Sequence, residues 1–140
     1  MQLGELLSSL LVNLQTLIKS EVNLDRASFP KIIALSIIPF DGLEMSALSK
    51  RMGIDNSTAT RLVMGMEKID WVKRQSALHD KRVTQVVLTE KGYSLQGDLE
   101  KQFELIGKAI GESLKPSDRL TISDSLSSLN WVLLKLIAGK

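Results

Sequence analysis

Three hydroxyl side chains and one guanidinium fall within five consecutive residues, at Ser57, Thr58, Thr60 and Arg61. An arginine binds guanine O6 and N7 through two hydrogen bonds, and hydroxyls bond either base edges or phosphates. The other interpretation is that the hydroxyls cap a helix and that Arg61 is an ordinary surface charge. Spacing alone leaves both interpretations open.

Two further cations, Lys81 and Arg82, lie in a polar segment between two β-branched runs. This pattern predicts a hairpin whose charged tip reaches phosphates or a narrow minor groove, where the negative potential is enhanced. Arg74 lies in the first of the two runs. The candidate nucleic-acid contacts are therefore Ser57, Thr58, Thr60, Arg61, Arg74, Lys81 and Arg82.

The charge of the chain is concentrated in its middle third. Residues 48–86 hold eight basic and four acidic side chains, a net of +4, whereas the whole chain carries only +2. Residues 1–43 sum to −1, Glu44 adds a further −1, and residues 87–140 sum to zero. A basic module between neutral, apolar segments favours phosphate binding, the alternative being a solvated face with scattered charges.

Several kinds of chemistry are disfavoured by composition. The chain has no Cys and one His, which excludes a disulfide framework, a thiolate zinc site and a thiol redox switch. So few combinations of nucleophile and base remain that an enzyme is not expected. His79 stands beside Asp80, but nothing nearby completes a metal site. We therefore expect no catalytic residue, no cofactor and no metal.

The 140 residues, 44% of them hydrophobic and 24% charged, are typical of a single globular domain. The apolar N-terminus lacks the basic start of a signal peptide and carries Glu5. The longest apolar run near the C-terminus, 131–137, is interrupted by Lys135 and is too short to span a bilayer. These features predict a cytoplasmic protein without a membrane partner.

Apolar periodicity and capping residues predict six helices and one hairpin. Four segments form the middle of the chain: a short helix, a Gly turn, a second helix and a basic hairpin, which is the order of a winged helix-turn-helix. The predicted fold class is mainly α with a small β-wing. The predicted helices are 3–18, 29–38, 45–52, 55–69, 89–113 and one capped at 116–118, and the hairpin strands are 71–75 and 83–88.

Two blocks of this sequence resemble the MarR-type transcriptional regulators. The segments Ala47–Val63 and Met66–Lys68 resemble the family's helix-turn-helix, and Asp80–Arg82 with Val87–Gly92 resembles its wing and the exit into the next helix. A weaker likeness covers Ser28–Leu35. The chain departs from the family pattern at Asp70, a position usually held by Gly, and in a wing without Pro whose tip carries Leu78.

The resemblance implies a homodimeric regulator of transcription that binds double-stranded DNA, a repressor or an activator. In the family the chain ends intertwine, so residues 1–27 and 93–140 would form a dimerisation region and residues 28–92 a DNA-binding region within one intertwined domain. Ser57, Thr58, Thr60 and Arg61 would be contacts of the recognition helix, and Arg82 a wing arginine oriented by Asp80. The family also implies a small, often aromatic, ligand, for which no residue is assigned.

Apolar area argues for a dimer independently of the resemblance. The apolar stripe of residues 3–18 and the broad apolar face of residues 120–137 exceed what one small winged domain covers. The alternative is that both helices pack within one monomeric core. For function, the alternative is a protein-interaction module whose apolar helices bind a partner protein and whose basic face is incidental.

Overall fold

The computed structural model describes all 140 residues, Met1–Lys140, as six α-helices and three short β-strands. The mainly helical class and the six predicted helices are confirmed. In chain order the elements are α1 (Leu3–Glu21), α2 (Phe29–Ile37), β1 (Leu43–Glu44), α3 (Met45–Met52), α4 (Asn56–Lys68), β2 (Val72–Ser76), β3 (Thr84–Leu88), α5 (Glu90–Ser113) and α6 (Pro116–Ala138). None of the six helices combines the length and the apolar run that a bilayer crossing requires.

The start of α2 is fixed by the cap that its sequence predicts. Ser28 Oγ accepts a hydrogen bond from the Lys31 N–H at 3.4 Å, and Pro30 lies in the first turn, where a missing N–H costs nothing. The helix ends at Ile37, before Pro39, because the residue preceding a proline disfavours the helical conformation.

The turn between α3 and α4 depends on glycine. Gly53 has φ 68°, in the left-handed region that glycine adopts without a Cβ penalty. Its N–H donates to the Lys50 carbonyl at 3.2 Å, which closes the end of α3. Two residues later Asp55 caps α4, so the chain reverses within three residues and forms a helix-turn-helix.

The sheet has three antiparallel strands in the order β1-β3-β2. The predicted hairpin is confirmed with strand ends within one residue, but a third strand, β1, was not predicted. It pairs with β3 through Leu43↔Val86 and Glu44↔Gln85. Two residues are too few to show a period of two, so only the pairing partner defines this strand.

The core lies where α2, α3, α4 and α5 meet the sheet. Trp71 is only 1% exposed within it, so its indole packs against core side chains and is not available to stack on a base. Met66 is buried and Met52 packs partly buried against the same cluster, as gap-filling methionines do. The largest fully buried side chains are those of Leu35, Ile38, Leu48, Val63, Met66, Trp71, Val86 and Leu99.

The junction between β3 and α5 is bonded to the exit of α4. The Thr89 N–H donates to the Trp71 carbonyl at 3.0 Å, and the Thr89 hydroxyl donates to the Asp70 carbonyl. The same hydroxyl oxygen accepts the Gly92 N–H at 3.0 Å, so Thr89 caps the start of α5. Asp70 itself has φ 63°, so an aspartate occupies a left-handed position that the family pattern gives to glycine.

The chain divides into two compact units, Met1–Phe103 and Glu104–Lys140, and the division falls within α5. In the second unit Arg119 Nε donates to the Gly111 carbonyl at 2.6 Å. The cap predicted for α6 at residues 116–118 is wrong in detail, because the N-cap position is Lys115, whose side chain makes no cap bond.

Candidate nucleic-acid interface

The first turn of α4 is held rigid by its cap. Asp55 Oδ1 accepts the Thr58 N–H at 2.7 Å and the Ser57 hydroxyl at 2.9 Å. These hydrogen bonds, the Thr58 backbone bond first among them, lower the pKa of Asp55 below its ordinary value. The carboxylate therefore stays ionised near neutral pH and fixes the backbone from which the candidate contacts project.

The four candidate residues on α4 differ in their exposure and in which of their hydrogen-bonding groups lack a protein partner. Ser57 and Arg61 are exposed, whereas Thr58 and Thr60 are half-buried. The Thr60 hydroxyl donates to the Asn56 carbonyl at 2.8 Å, which leaves its oxygen only as an acceptor. Arg61 has no carboxylate within ion-pair distance, so its full set of donors faces solvent.

The wing, residues 72–88 of β2, β3 and their connection, carries a clamped arginine at its tip. Asp80 accepts three hydrogen bonds from Arg82, from the backbone N–H at 3.0 Å, from Nε at 3.2 Å and from Nη2 at 3.1 Å. The guanidinium bonds, followed by the backbone bond, lower the pKa of Asp80. The Asp80–Arg82 contact that the family resemblance implied is therefore present, and the Arg82 side chain is 91% exposed.

Near the tip, the Ala77 N–H donates to the Val83 carbonyl at 2.9 Å and anchors the connection to the strands. Leu78 is fully exposed, and Lys81 is exposed without an ion-pair partner. His79 Nε2 lies 3.3 Å from Glu44 Oε1, which brings the tip close to the end of β1. The side chains at the tip are thus apolar or basic, apart from the clamping Asp80.

A cleft of about 480 Å³ lies between α4 and the wing. We call it the α4–wing cleft. It brings together Thr60 from α4, Arg74 from β2 and Arg82 from the wing tip, three residues that sequence analysis had placed in separate motifs. Ser57, Thr58, Arg61 and Lys81 are not part of its lining. The polar lining residues are Ser46, Asn56, Thr60, Arg74, Arg82 and Thr84.

Two contacts of this cleft were missed by sequence analysis. Arg74 Nε lies 2.8 Å from Glu67 Oε1, so an acidic residue of α4 holds one of the candidate cations. The hydroxyl of Ser49, a residue that is 5% exposed, lies 2.7 Å from Asn56 Oδ1 and 2.9 Å from the Ser46 carbonyl. The seven-residue spacing of Glu67 and Arg74 spans a helix end, a turn and a strand start, so no helical or strand periodicity signals the pair.

Comparison with known proteins identifies the family. The model of the MarR family matches residues 39–84, which contain α3, α4 and most of the wing. An HTH-type transcriptional regulator of Bacillus subtilis, YfiV, is 30% identical over 107 residues, which are 76% of this chain and 67% of YfiV. The chain belongs to the MarR family.

Two other regulators resemble this chain, one in its fold and one in part of its sequence. A MarR transcriptional regulator from Methanosarcina mazei superposes with a TM-score of 0.80 at 26% identity, covering 95% of this chain and 96% of the other. The transcriptional repressor MprA of Escherichia coli is 30% identical over 86 residues, 61% of this chain and 48% of MprA. The chain spans about half the length of the first curated relatives it matches.

Proposed function

We propose that this MarR-family chain is a sequence-specific, double-stranded-DNA-binding regulator of transcription. The observation that carries the proposal is the α4–wing cleft, in which a helix residue, Thr60, and a wing residue, Arg82, share one polar surface. A helix that enters a major groove and a basic hairpin that reaches the adjacent backbone need such a shared surface. The +4 charge of residues 48–86 supports the same assignment.

In this proposal the two parts of the surface have different tasks. Arg61 and Ser57, exposed on the first turns of α4, contact base edges, and Thr58 and Thr60 contact bases or phosphates from half-buried positions. The wing contributes sequence-independent contacts through Arg74, Lys81 and Arg82. The clamp by Asp80 limits the rotamers of Arg82, so less side-chain entropy is lost when this residue binds DNA.

We propose that the regulator is a homodimer on a pseudo-palindromic operator, with residues 1–27 and 93–140 as the dimerisation region. Neither α1 nor α6 contains a buried residue. Six large apolar side chains are exposed on α1 and nine on α6, among them Trp131 at 60% exposure. Apolar faces of this extent are typical of interfaces rather than of monomeric surfaces. A second copy of the chain covers these apolar faces with its own, and its α4 and wing then contact the other half-site.

We further propose that the regulator represses transcription and that a small ligand releases it from DNA. The sign of regulation follows the name of MprA, a transcriptional repressor. For the ligand, an apolar groove of about 540 Å³ is lined by side chains of α2, α3 and α4, including Phe29, Ile33 and Leu62. Arg61 also lines it, so an aromatic acid seated there would occupy a proposed base contact. Calorimetric titration with a panel of aromatic acids, with and without bound DNA, tests release.

Selection of bound duplexes from random DNA tests DNA recognition itself. We expect one inverted-repeat sequence to be enriched, because two copies of α4 then read related half-sites. On the selected duplex, Arg82→Ala is expected to weaken binding and to lower the salt slope by about one charge per protomer. Lys108→Ala on α5 is the matched control, since it removes a cation outside residues 48–86. Absence of any enriched sequence at low salt contradicts the proposal.

The second candidate function is a protein-interaction module, which the exposed apolar faces of α1 and α6 also favour. Sedimentation separates the two at micromolar concentration. A regulator of the proposed kind sediments as a dimer of 15.5 kDa chains, whereas a module awaiting another protein sediments as a monomer or as heterogeneous aggregates. A monomer that binds no duplex favours the module.

A further inference from the structure

Glu67 and Arg74 join α4 to the wing by a single ion pair. The Nε–Oε1 distance is 2.8 Å, and the Arg74 and Glu67 side chains are 37% and 30% exposed. Ion pairs at this exposure contribute little to stability, with a median of about 0–1 kcal/mol. The ion pair therefore contributes little to folding stability, and its main effect is to orient the Arg74 guanidinium.

The ion pair leaves the outer part of the Arg74 guanidinium free. Glu67 contacts Nε, and neither terminal nitrogen, Nη1 or Nη2, has a protein partner. Arginine has five N–H donors in a planar fork, so four of them remain available on a residue that lines the α4–wing cleft. A guanidinium held at one edge presents the other edge in a defined orientation.

The polar side chains of α4 in this cleft add no comparably oriented free donor. The Thr60 hydroxyl donates to the Asn56 carbonyl at 2.8 Å, and the Asn56 side-chain amide lies against the Ser49 hydroxyl, which is also 2.9 Å from the Ser46 carbonyl. The oriented donor group of this part of the cleft is therefore the free edge of Arg74. An anion with several acceptor oxygens, such as a phosphodiester, matches a guanidinium edge of this kind.

We propose that Glu67 is a positioning residue for DNA binding, holding Arg74 so that its free edge takes one backbone phosphate of the duplex. This inference rests on the proposed DNA-binding function. It runs against simple electrostatics, because a carboxylate beside a polyanion repels it. If charge alone mattered, removal of Glu67 would tighten DNA binding. If positioning matters, removal weakens binding as much as the loss of Arg74 does.

A double-mutant cycle on the selected duplex separates the two outcomes. Arg74→Ala removes one charge-assisted contact from each protomer, so the dimer is expected to bind about a hundredfold more weakly, with a salt slope smaller by about one per protomer. Glu67→Ala is expected to show a similar loss, and the double variant no further loss. Glu67→Gln keeps an oxygen acceptor for Nε and is expected to bind within about twofold of the parent.

Glu67→Asp is a second variant, included in case Glu67→Ala fails to fold. It keeps the negative charge, but its side chain is one methylene shorter, so the carboxylate no longer reaches Arg74 Nε. Positioning predicts weakened binding, whereas charge alone predicts parental binding. Asp41→Ala, in the turn before β1 and outside the proposed dimerisation region, controls for loss of an exposed carboxylate, and urea unfolding checks that each variant is folded. Parental or tighter binding by Glu67→Ala and Glu67→Asp, or additive losses in the cycle, overturns the inference. A parent that binds no duplex overturns the proposed function itself.

Discussion

Replacement of Gly92 by alanine is expected to destabilise the chain by about 3 kcal/mol, although alanine favours helices. A Cβ built on Gly92 lies 1.9 Å from the Trp71 carbonyl oxygen and 2.8 Å from its carbon. Real Cβ atoms do not approach so closely, so either the first turn of α5 or the backbone at Trp71 must move.

Neither side of this contact moves without loss. Trp71 is 1% exposed in the core, and its carbonyl accepts the Thr89 N–H at 3.0 Å. Forced overpacking costs about 1–3 kcal/mol, and a buried backbone group that loses its partner costs about the same. Alanine has a helix propensity about 1 kcal/mol more favourable than that of glycine, which offsets part of these costs. The free energy of unfolding is therefore expected to fall by about 3 kcal/mol.

Gly97 supplies the control on the same helix, because nothing lies within 4 Å of a Cβ built there. Gly97→Ala is expected to raise the free energy of unfolding by up to about 1 kcal/mol. Urea unfolding of both variants at one fixed protein concentration measures the difference, the concentration being fixed because a dimer's stability depends on it. A Gly92→Ala variant within about 0.5 kcal/mol of the parent would refute the close-packing explanation.

Three further predictions follow from local backbone and charge. Asp70→Gly is expected to raise the free energy of unfolding by about 1 kcal/mol by relieving the left-handed backbone at φ 63°, and unchanged or lower stability in urea would contradict this. Gly65→Ala within α4 is expected to raise the free energy of unfolding by about 1 kcal/mol, because the added Cβ would contact only the flexible end of Lys31 at 3.4 Å. A lower free energy of unfolding would show that the methyl group does not fit. The pKa of Asp80 is lowered in the folded chain, so its stabilising effect is complete above the unfolded value near 4 and is lost as pH falls through the folded pKa. Asp80→Asn should therefore make the acid-side fall of unfolding free energy shallower, and an unchanged pH profile would mean that the Arg82 clamp has no such effect.

The helices of this chain could be predicted from its sequence because their signals are local. Leucine spacing, the Ser28 and Thr89 caps and Gly53 at the end of α3 each act within a few residues of the structure they define. The two-residue strand β1 could not be predicted, since it is defined only by pairing with Val86 and Gln85 more than forty residues away. The left-handed backbone at Asp70 is by contrast defined locally, because the Trp71 N–H donates to the Met66 carbonyl at 2.9 Å, the bond that closes a helix end at a left-handed residue.

The candidate site was predictable as a set of residues but not as a surface. The hydroxyls and Arg61 stand out by type, and the Asp80–Arg82 contact was implied by the family resemblance. The meeting of Thr60 and Arg82 in one cleft depends on how the hairpin packs beside α4, which no local pattern contains. The pairing of Glu67 with Arg74 depends on the same packing.

The salt dependence of DNA binding by the full chain tests the central claim most directly. Fluorescence anisotropy with the selected duplex would be measured from 50 to 200 mM salt. A dimer whose two α4–wing surfaces make about 6–10 phosphate contacts is predicted to lose about 10³–10⁵ in affinity over this range. Absence of saturable binding at 50 mM, or an affinity that does not change with salt, would contradict the account.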